Sequence, residues 1–404
     1  MSKKSNAYIF FVMEKKVIVK KGVEKKIKNY YLWIYRDEIR KISGNPKDGE
    51  IISVYDHNNN FLAKGSFNGN SHIPVRIFFY DQDEQLDKAT IKRKINDALT
   101  IRKSIKNTNS IRIINSESDA FPGLILDRYG SHFVIQSRIK TIDLIKSVLI
   151  DVINDVFSPL SIYERSEGDF RKEEKLEPID GELYLKTPDR VLITERNSSF
   201  IVDVKKGAKT GFYMDQRDNR FFFENLIEEG NTVLDLFSYT GAFSVFSAKK
   251  GATVTMVEIE PEYVEIAKEN ARINKVENKI EFVTKNAYDF LEDVSRSGKK
   301  FDFIVIDPPG IIKSKGEVEK GKWAYWKLAY NSFLSLKKGG KCLISSCSYH
   351  VSPSILLEMI RLASSDSGRR IRIITQTYQP EDHPWILQIP ETLYLKSFFL
   401  EALN

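Results

Sequence analysis

Phe301-Asp302-Phe303-Ile304-Val305-Ile306-Asp307-Pro308-Pro309, followed downstream by Leu343-Ile344-Ser345-Ser346-Cys347-Ser348, reads as two buried strands ending in reactive side chains, one a carboxylate and the other a thiol. Around them the chain alternates strand and helix from Thr232 onward. The run is Val233 to Phe237, Ala242 to Lys250, Thr253 to Glu258, Pro261 to Asn274, Ile280 to Thr284, Phe301 to Ile306, Trp323 to Leu336 and Lys341 to Ser346. Such alternation, joined by right-handed crossovers, predicts an α/β domain with a doubly wound parallel sheet. Chemistry in these sheets gathers beyond the carboxyl ends of the strands. Asp307 and Cys347 are therefore expected at one crevice if their strands are neighbours, a pairing suited to covalent chemistry on an electrophilic ring.

Asp235-Leu236-Phe237-Ser238-Tyr239-Thr240-Gly241-Ala242-Phe243 leaves the first strand and opens a helix, offering backbone N–H groups and a glycine that lets a ligand come close. One glycine among aromatic residues is not the Gly-x-Gly-x-x-Gly of a pyrophosphate site, and it suits a cofactor without phosphates better. A generic strand-to-helix turn is the competing reading. Glu258 ends the second strand where a ribose diol can be hydrogen-bonded; Glu260 competes for that role, but its position favours capping the helix that begins at Pro261. Asn286-Ala287-Tyr288-Asp289 follows the third strand, placing an amide for a purine edge with Ala287 and Tyr288 beside the ring. Asp235, Phe237, Tyr239, Gly241, Glu258, Asn286, Ala287 and Asp307 together outline an adenosine-shaped crevice. Over residues 201–404 the chain resembles the class I S-adenosylmethionine-dependent methyltransferases.

A narrower resemblance covers nearly the whole chain. Lys209-Thr210-Gly211-Phe212-Tyr213-Met214-Asp215-Gln216-Arg217-Asp218-Asn219-Arg220, the two segments above, Ala120-Phe121-Pro122-Gly123-Leu124-Ile125-Leu126-Asp127-Arg128-Tyr129-Gly130 and Pro390-Glu391-Thr392-Leu393-Tyr394-Leu395-Lys396 are together similar to the large-subunit ribosomal RNA cytosine-C5 methyltransferases of the RlmI type. Leu32-Trp33-Ile34-Tyr35 resembles part of that family's N-terminal PUA RNA-binding domain. The resemblance implies S-adenosyl-L-methionine as cofactor and RNA, of the 23S ribosomal type, as partner; whether the chain forms a homodimer stays open. It also implies that Gln216 and Arg217 lie where the cofactor's methionine carboxylate is held, and that Lys209, Arg217, Arg220 and Pro308 meet substrate, Lys209 and Arg220 through RNA phosphates. The competing reading of that segment is a capped helix N-terminus with surface basic residues. Two positions depart from the pattern. Gly310 stands where Lys usually follows Asp-Pro-Pro, with Lys313 as a substitute cation, and Ala242 stands where a second Gly is common.

Carbon 5 of a pyrimidine is too weak a nucleophile to take a methyl group directly, so a thiolate first adds to C6 and makes C5 enamine-like. Cys347 is the candidate for that addition, against the alternative of a small buried hydrophobe, and Cys342 is assigned to the core. Asp307 would hydrogen-bond the ring and share a proton with N3, its loop stiffened by Pro308 and Pro309. Asp307 through water, His350, His383 and Lys396 all remain candidates to accept the C5 proton. Methylation of an amine, or a degenerate fold serving only as an RNA-binding assembly factor, are the rival functions.

Outward from this unit, residues 81–200 read as a linker helix starting near Glu84 followed by a small mixed α/β domain. Strands are expected at Ile111 to Ile114, His132 to Gln136, Ser161 to Tyr163, Glu182 to Lys186 and Val191 to Glu195, with a helix near Ile142 to Val156. Residues 1–80 read as a small PUA-like β-barrel, with strands at Lys16 to Lys20, Ile51 to Tyr55, Phe61 to Gly65 and Val75 to Tyr80 and a tight turn at Asp56 to Asn60. The net charge of +7 is concentrated in Lys15, Lys16, Lys20, Lys21, Lys25, Lys26 and Lys28, which suits a polyanion but also a merely solvated face. Two cysteines on one extended strand exclude a disulfide between them, and with five scattered histidines they give no metal-ligand spacing. No apolar run reaches the ~20 residues of a membrane helix, and strand-like Tyr8 to Val12 follows the start without a cleavage site, so a cytoplasmic protein is expected.

Overall fold

A computed structural model describes residues 14–312 and 315–404; the expected strand at Tyr8 to Val12 and the side chain of Lys313 lie outside them. The C-terminal unit is built on seven strands, β1 Thr232–Leu236, β2 Thr253–Glu258, β3 Ile280–Thr284, β4 Phe301–Ile306, β5 Leu336–Ser346, β6 Ile371–Tyr378 and β7 Lys396–Ala402, in the order β3-β2-β1-β4-β5-β7-β6. The first five run parallel. They need no alternation because both faces are covered: Phe223, Phe243 and Phe303 pack on one side, Ile304, Tyr325, Phe333 and Leu356 on the other. β6 and β7 depart from the all-parallel expectation, β7 running antiparallel to both neighbours and setting Lys396 opposite Ser346. The direction of the chain's crossovers reverses between β1 and β4, and β4 lies beside β5, so Asp307 and Cys347 do follow neighbouring strands.

The first unit is a half-barrel of six strands, ordered Trp33–Ile34, Val75–Phe79, Phe61–Phe67, Ile51–Tyr55, Lys16–Val19 and Ile39–Ser43. Its turn is held by Asp56, whose carboxylate accepts N–H bonds from Asn58 and Asn60 at 2.9 and 2.8 Å. Three of the seven lysines, Lys25, Lys26 and Lys28, lie in a short helix, Val23–Lys28, that buries only Ile27. Ile389, from the far end of the chain, is fully buried in this barrel's core.

Between these units lies a five-stranded sheet, ordered Ile179–Tyr184, Ser161–Ser166, His132–Ser137, Leu124–Tyr129 and Ser110–Asn115. The helix expected from Glu84 spans Lys88–Ile101, because the Asp87 carboxylate caps it by accepting from Thr90 N at 2.9 Å. The helix expected near Ile142 is two, Lys140–Leu144 and Lys146–Phe157. A hairpin, Arg190–Glu195 with Ser198–Asp203, straddles residue 200; its buried side chains Val191, Ile193, Phe200 and Val202 join the core of the C-terminal sheet. Among the described residues no helix is long and apolar enough to cross a membrane.

Candidate active site

The loop after β1 puts Phe237, Tyr239 and Gly241 at φ values of 58°, 50° and 77°. At Gly241 the left-handed backbone is reinforced by crowding, since a Cβ there would sit 3.2 Å from Met256 Sδ and 3.3 Å from Ala267 Cβ. The turn is held by the end of β2. Tyr239 N donates to Glu258 Oε2 at 2.8 Å, and Glu258 Oε1 accepts from Ile259 N and Glu260 N. Glu258, expected to hydrogen-bond a ribose diol, orders the loop after β1, and Glu260 occupies the helix N-cap position without a side-chain cap bond. Asn286 does cap, its Oδ1 accepting from Tyr288 N at 2.9 Å, with Ala287 buried behind it and the Tyr288 ring set edge-on to Phe237 at 5.3 Å. Asp235 is buried at the end of β1 and accepts from Ser244 Oγ at 2.6 Å, while its other oxygen has no partner among the described residues.

Asp307 is held from the side. Gln216 Nε2 donates to its Oδ1 at 2.8 Å, Asn219 Nδ2 donates to Gln216 Oε1 at 2.6 Å, and Thr377 Oγ1 donates to Asn219 Oδ1 at 2.6 Å. Cys347 sits on a serine-built turn: Ser346 Oγ accepts from Tyr325 OH at 2.8 Å, and Ser348 Oγ accepts from Ile312 N at 3.2 Å, stitching the Asp307–Ile312 loop to the cysteine loop. Gly310 is where these loops meet. A Cβ there would lie 3.8 Å from both Cys347 Sγ and Ser348 Oγ, ordinary contact distances, so the glycine leaves room beside the sulfur rather than being demanded by crowding. Pro308 is buried and Pro309 exposed.

Lys209 reaches this region, its ammonium 4.5 Å from the Tyr213 ring centroid and paired with Asp215, to which Tyr394 OH also donates at 2.9 Å. Arg217 and Arg220 correct the expectation that they meet substrate. Both are 1% exposed; Arg220 forks onto Glu195 at 2.9 and 2.7 Å, and Arg217 donates to Asp382 Oδ2 at 2.6 Å and Ser110 O at 3.2 Å. Neither of these two guanidinium groups is free for a phosphate. The Ala120–Gly130 motif belongs to the same framework: Asp127 takes both N–H groups of Arg112 at 2.8 and 2.9 Å and a bond from Thr210 Oγ1 at 2.6 Å.

Residues 17–79 match the model of a PUA-like domain, and residues 192–313 that of the TRM5/TYW2 methyltransferase domain. A protein crystallised with SAH and described as a methyltransferase superposes with a TM-score of 0.83 over 96% of this chain and all of its own, at 23% identity. Ribosomal RNA large subunit methyltransferase I of Klebsiella pneumoniae subsp. pneumoniae is 33% identical over 95% of this chain and 97% of its own length, and that of Escherichia coli strain SMS-3-5 is 33% identical over 96% and 99%. The chain belongs to the ribosomal RNA large subunit methyltransferase I family.

In this family member the electrostatics divide the crevice. Burial pushes the carboxyls of Asp307 and Asp235 up to about 7, helped at Asp307 by the charge of Asp215 and at Asp235 by Asp307 and Glu258. Burial likewise pushes the Cys347 thiol up to about 11 against the pull of Lys209, and lowers the Lys396 ammonium to about 8. His383 is buried against Asp382 at 3.1 Å, and burial with the nearby Arg112 keeps it toward its neutral form; His350 is partly buried, edge-on to exposed Tyr349 at 5.0 Å. Tyr213, Asp215 and Asn219 carry much of the site's architecture, yet the sequence marked Tyr213 and Asn219 only as members of a motif and Asp215 as a possible helix cap, where it instead accepts from Lys209 and Tyr394. Their partners Tyr394 and Thr377 lie far downstream, and no local pattern joins them.

Proposed function

We propose that this protein is an S-adenosylmethionine-dependent methyltransferase of large-subunit ribosomal RNA that forms 5-methylcytosine, with Cys347 adding to C6 of the ring and Asp307 steadying it. The observation that carries this is the stitching of the Asp307 and Cys347 loops on neighbouring strands by the Ile312 N to Ser348 Oγ bond. The cofactor fits the donor set: its sulfonium and ammonium are cations, and Asp235, Glu258 and Asp307 crowd acids at the strand ends, one with an unpartnered buried oxygen. Gln216 keeps Asp307 aimed; Glu258 would hold the ribose, and Asn286 and Ala287 would border the adenine. When bound, the cofactor supplies an electrophilic methyl group.

The chain's own residues do the rest. An acid with a pKa of about 7 holds a proton on a large fraction of molecules at neutral pH, so Asp307 can protonate N3 as charge builds on the ring during attack at C6. Lys209, paired with Asp215, is the cation we assign to the flipped-out nucleotide, which must leave its stack to reach a recessed sulfur. The barrel and the basic first segment supply grip on the RNA, and ribosomal RNA as substrate fits work in the cytoplasm.

Cys347→Ala is expected to abolish methylation of ribosomal RNA while cofactor affinity, measured by calorimetry, stays near that of the parent. Full methylation by that variant overturns the covalent reading.

A further inference from the structure

We propose that Lys396 is the base that takes the Cys347 thiol proton and then stands beside the thiolate as its ammonium. The proposal rests on Cys347 being the nucleophile. Three observations place Lys396 there. Strand pairing sets its Cα opposite Ser346, its ammonium donates to Ser348 O and to Tyr394 O at 3.0 Å, and the side chain is 1% exposed. Lysine 396 is thus anchored on both sides of Cys347, by backbone at residue 346 and by its side chain at residue 348. Both of its acceptors are neutral carbonyls, and no carboxylate pairs with it among the described residues.

The other groups around the sulfur are committed. Lys209 is the stronger cationic influence on Cys347, but its ammonium is locked to Asp215, which that pairing, with His383 and the Tyr394 hydroxyl, keeps ionised against burial. Asp307 raises the thiol's pKa when ionised and, when protonated, has no vacancy for another proton; Asp215 acts in the same unfavourable sense. Tyr213 and Tyr394 are held protonated by burial, and His383 is bound to Asp382. An amine without an acid partner, lowered to about 8 by burial, has a usable lone pair near neutrality.

The step balances. The Sγ–H bond breaks and its proton goes to the Nζ lone pair. The sulfur pair forms the bond to C6, and the displaced π electrons end on N3, where the Asp307 proton meets them. When the adduct breaks down, the ammonium can return the proton to sulfur.

The test needs no RNA. Alkylation of the full chain by iodoacetamide is followed from pH 6 to 10 by intact mass, with Cys347→Ala as the blank, since Cys342 is fully buried. Lys396→Met, shown to be folded by its melting curve, is expected to slow alkylation at pH 7.5 by about tenfold or more and to move the profile to higher pH. Should that variant not fold, Lys396→Arg keeps the charge but cannot give up its proton, and is expected to lose the parent's inflection near pH 8. A parent-like profile in either folded variant overturns the proposal. Loss of methylation in Cys347→Ala with such a profile would sink the role of Lys396 alone, whereas full methylation there would sink the nucleophile itself.

Discussion

Two sets of buried acids lie on either side of the short turn Met214–Gln216, and the protein treats them in opposite ways. On one side, Glu195 and Asp382 are fully enclosed and matched by Arg220 and Arg217, and Asp127 by Arg112. Burial alone would raise Asp382, yet His383 and Arg217 hold it far below the usual carboxylate range. On the other side Asp235 and Asp307 have neutral partners only, Ser244 and Gln216, and rise to about 7. The difference separates acids whose charge the chain itself completes from acids it leaves with neutral partners. Arg217, bonded to Ser110 O and to Asp382, ties the central sheet to the C-terminal unit, whereas Asp235 and Asp307 make no ion pair among the described residues.

Breaking a completed pair gives the largest effect. Arg220→Met leaves Glu195 enclosed with only the Arg217 Nε, 3.7 Å away, for company, and is expected to cost about 3–5 kcal/mol in denaturant-induced unfolding. The open side should respond with the other sign. The folded-state value for Asp307 lies above its usual 3.8, so the folded protein holds the proton more tightly, and its stability falls as pH rises between 3.8 and about 7. Asp307→Asn, which cannot ionise, is expected to stabilise the unliganded protein at pH 8 by about 1–3 kcal/mol, a gain that fades below pH 4. Methylation by the same variant should drop by about a hundredfold or more. Stabilisation that persists at pH 3.5 would break the comparison. The smallest effect belongs to Gly310→Ala, whose added Cβ meets only ordinary contacts; its unfolding free energy should stay within about 0.5 kcal/mol of the parent.

The parallel strands β1, β2, β4 and the second half of β5 were legible as apolar runs buried on both faces, whereas the edge strand β3, with Glu281 and Thr284 exposed, was legible only by its place in the alternation. Asp307 and Cys347 were legible because each is the first reactive group past such a run. β7 was not: Lys396–Ala402 carries a lysine and a serine whose burial depends on Ser348, Tyr394 and Ser345, contacts that no local pattern announces. Arg217 and Arg220 were misread for a related reason. Basic residues near a cofactor loop look free until Glu195 and Asp382, distant in sequence and close in space, are seen to enclose them. Glu258 was found at the right strand end, but both its oxygens hold backbone N–H groups, so ordering the loop is its first task.

Ile389 gives the barrel an unusual birth order. Its neighbours in that core, Val17 through Ile77, leave the ribosome early, whereas the isoleucine that fills the remaining space emerges near the end of synthesis. At roughly 5–20 residues per second the half-barrel waits tens of seconds for its last core residue. The first domain made is among the last to close, its core finished only when the segment between β6 and β7 has been made.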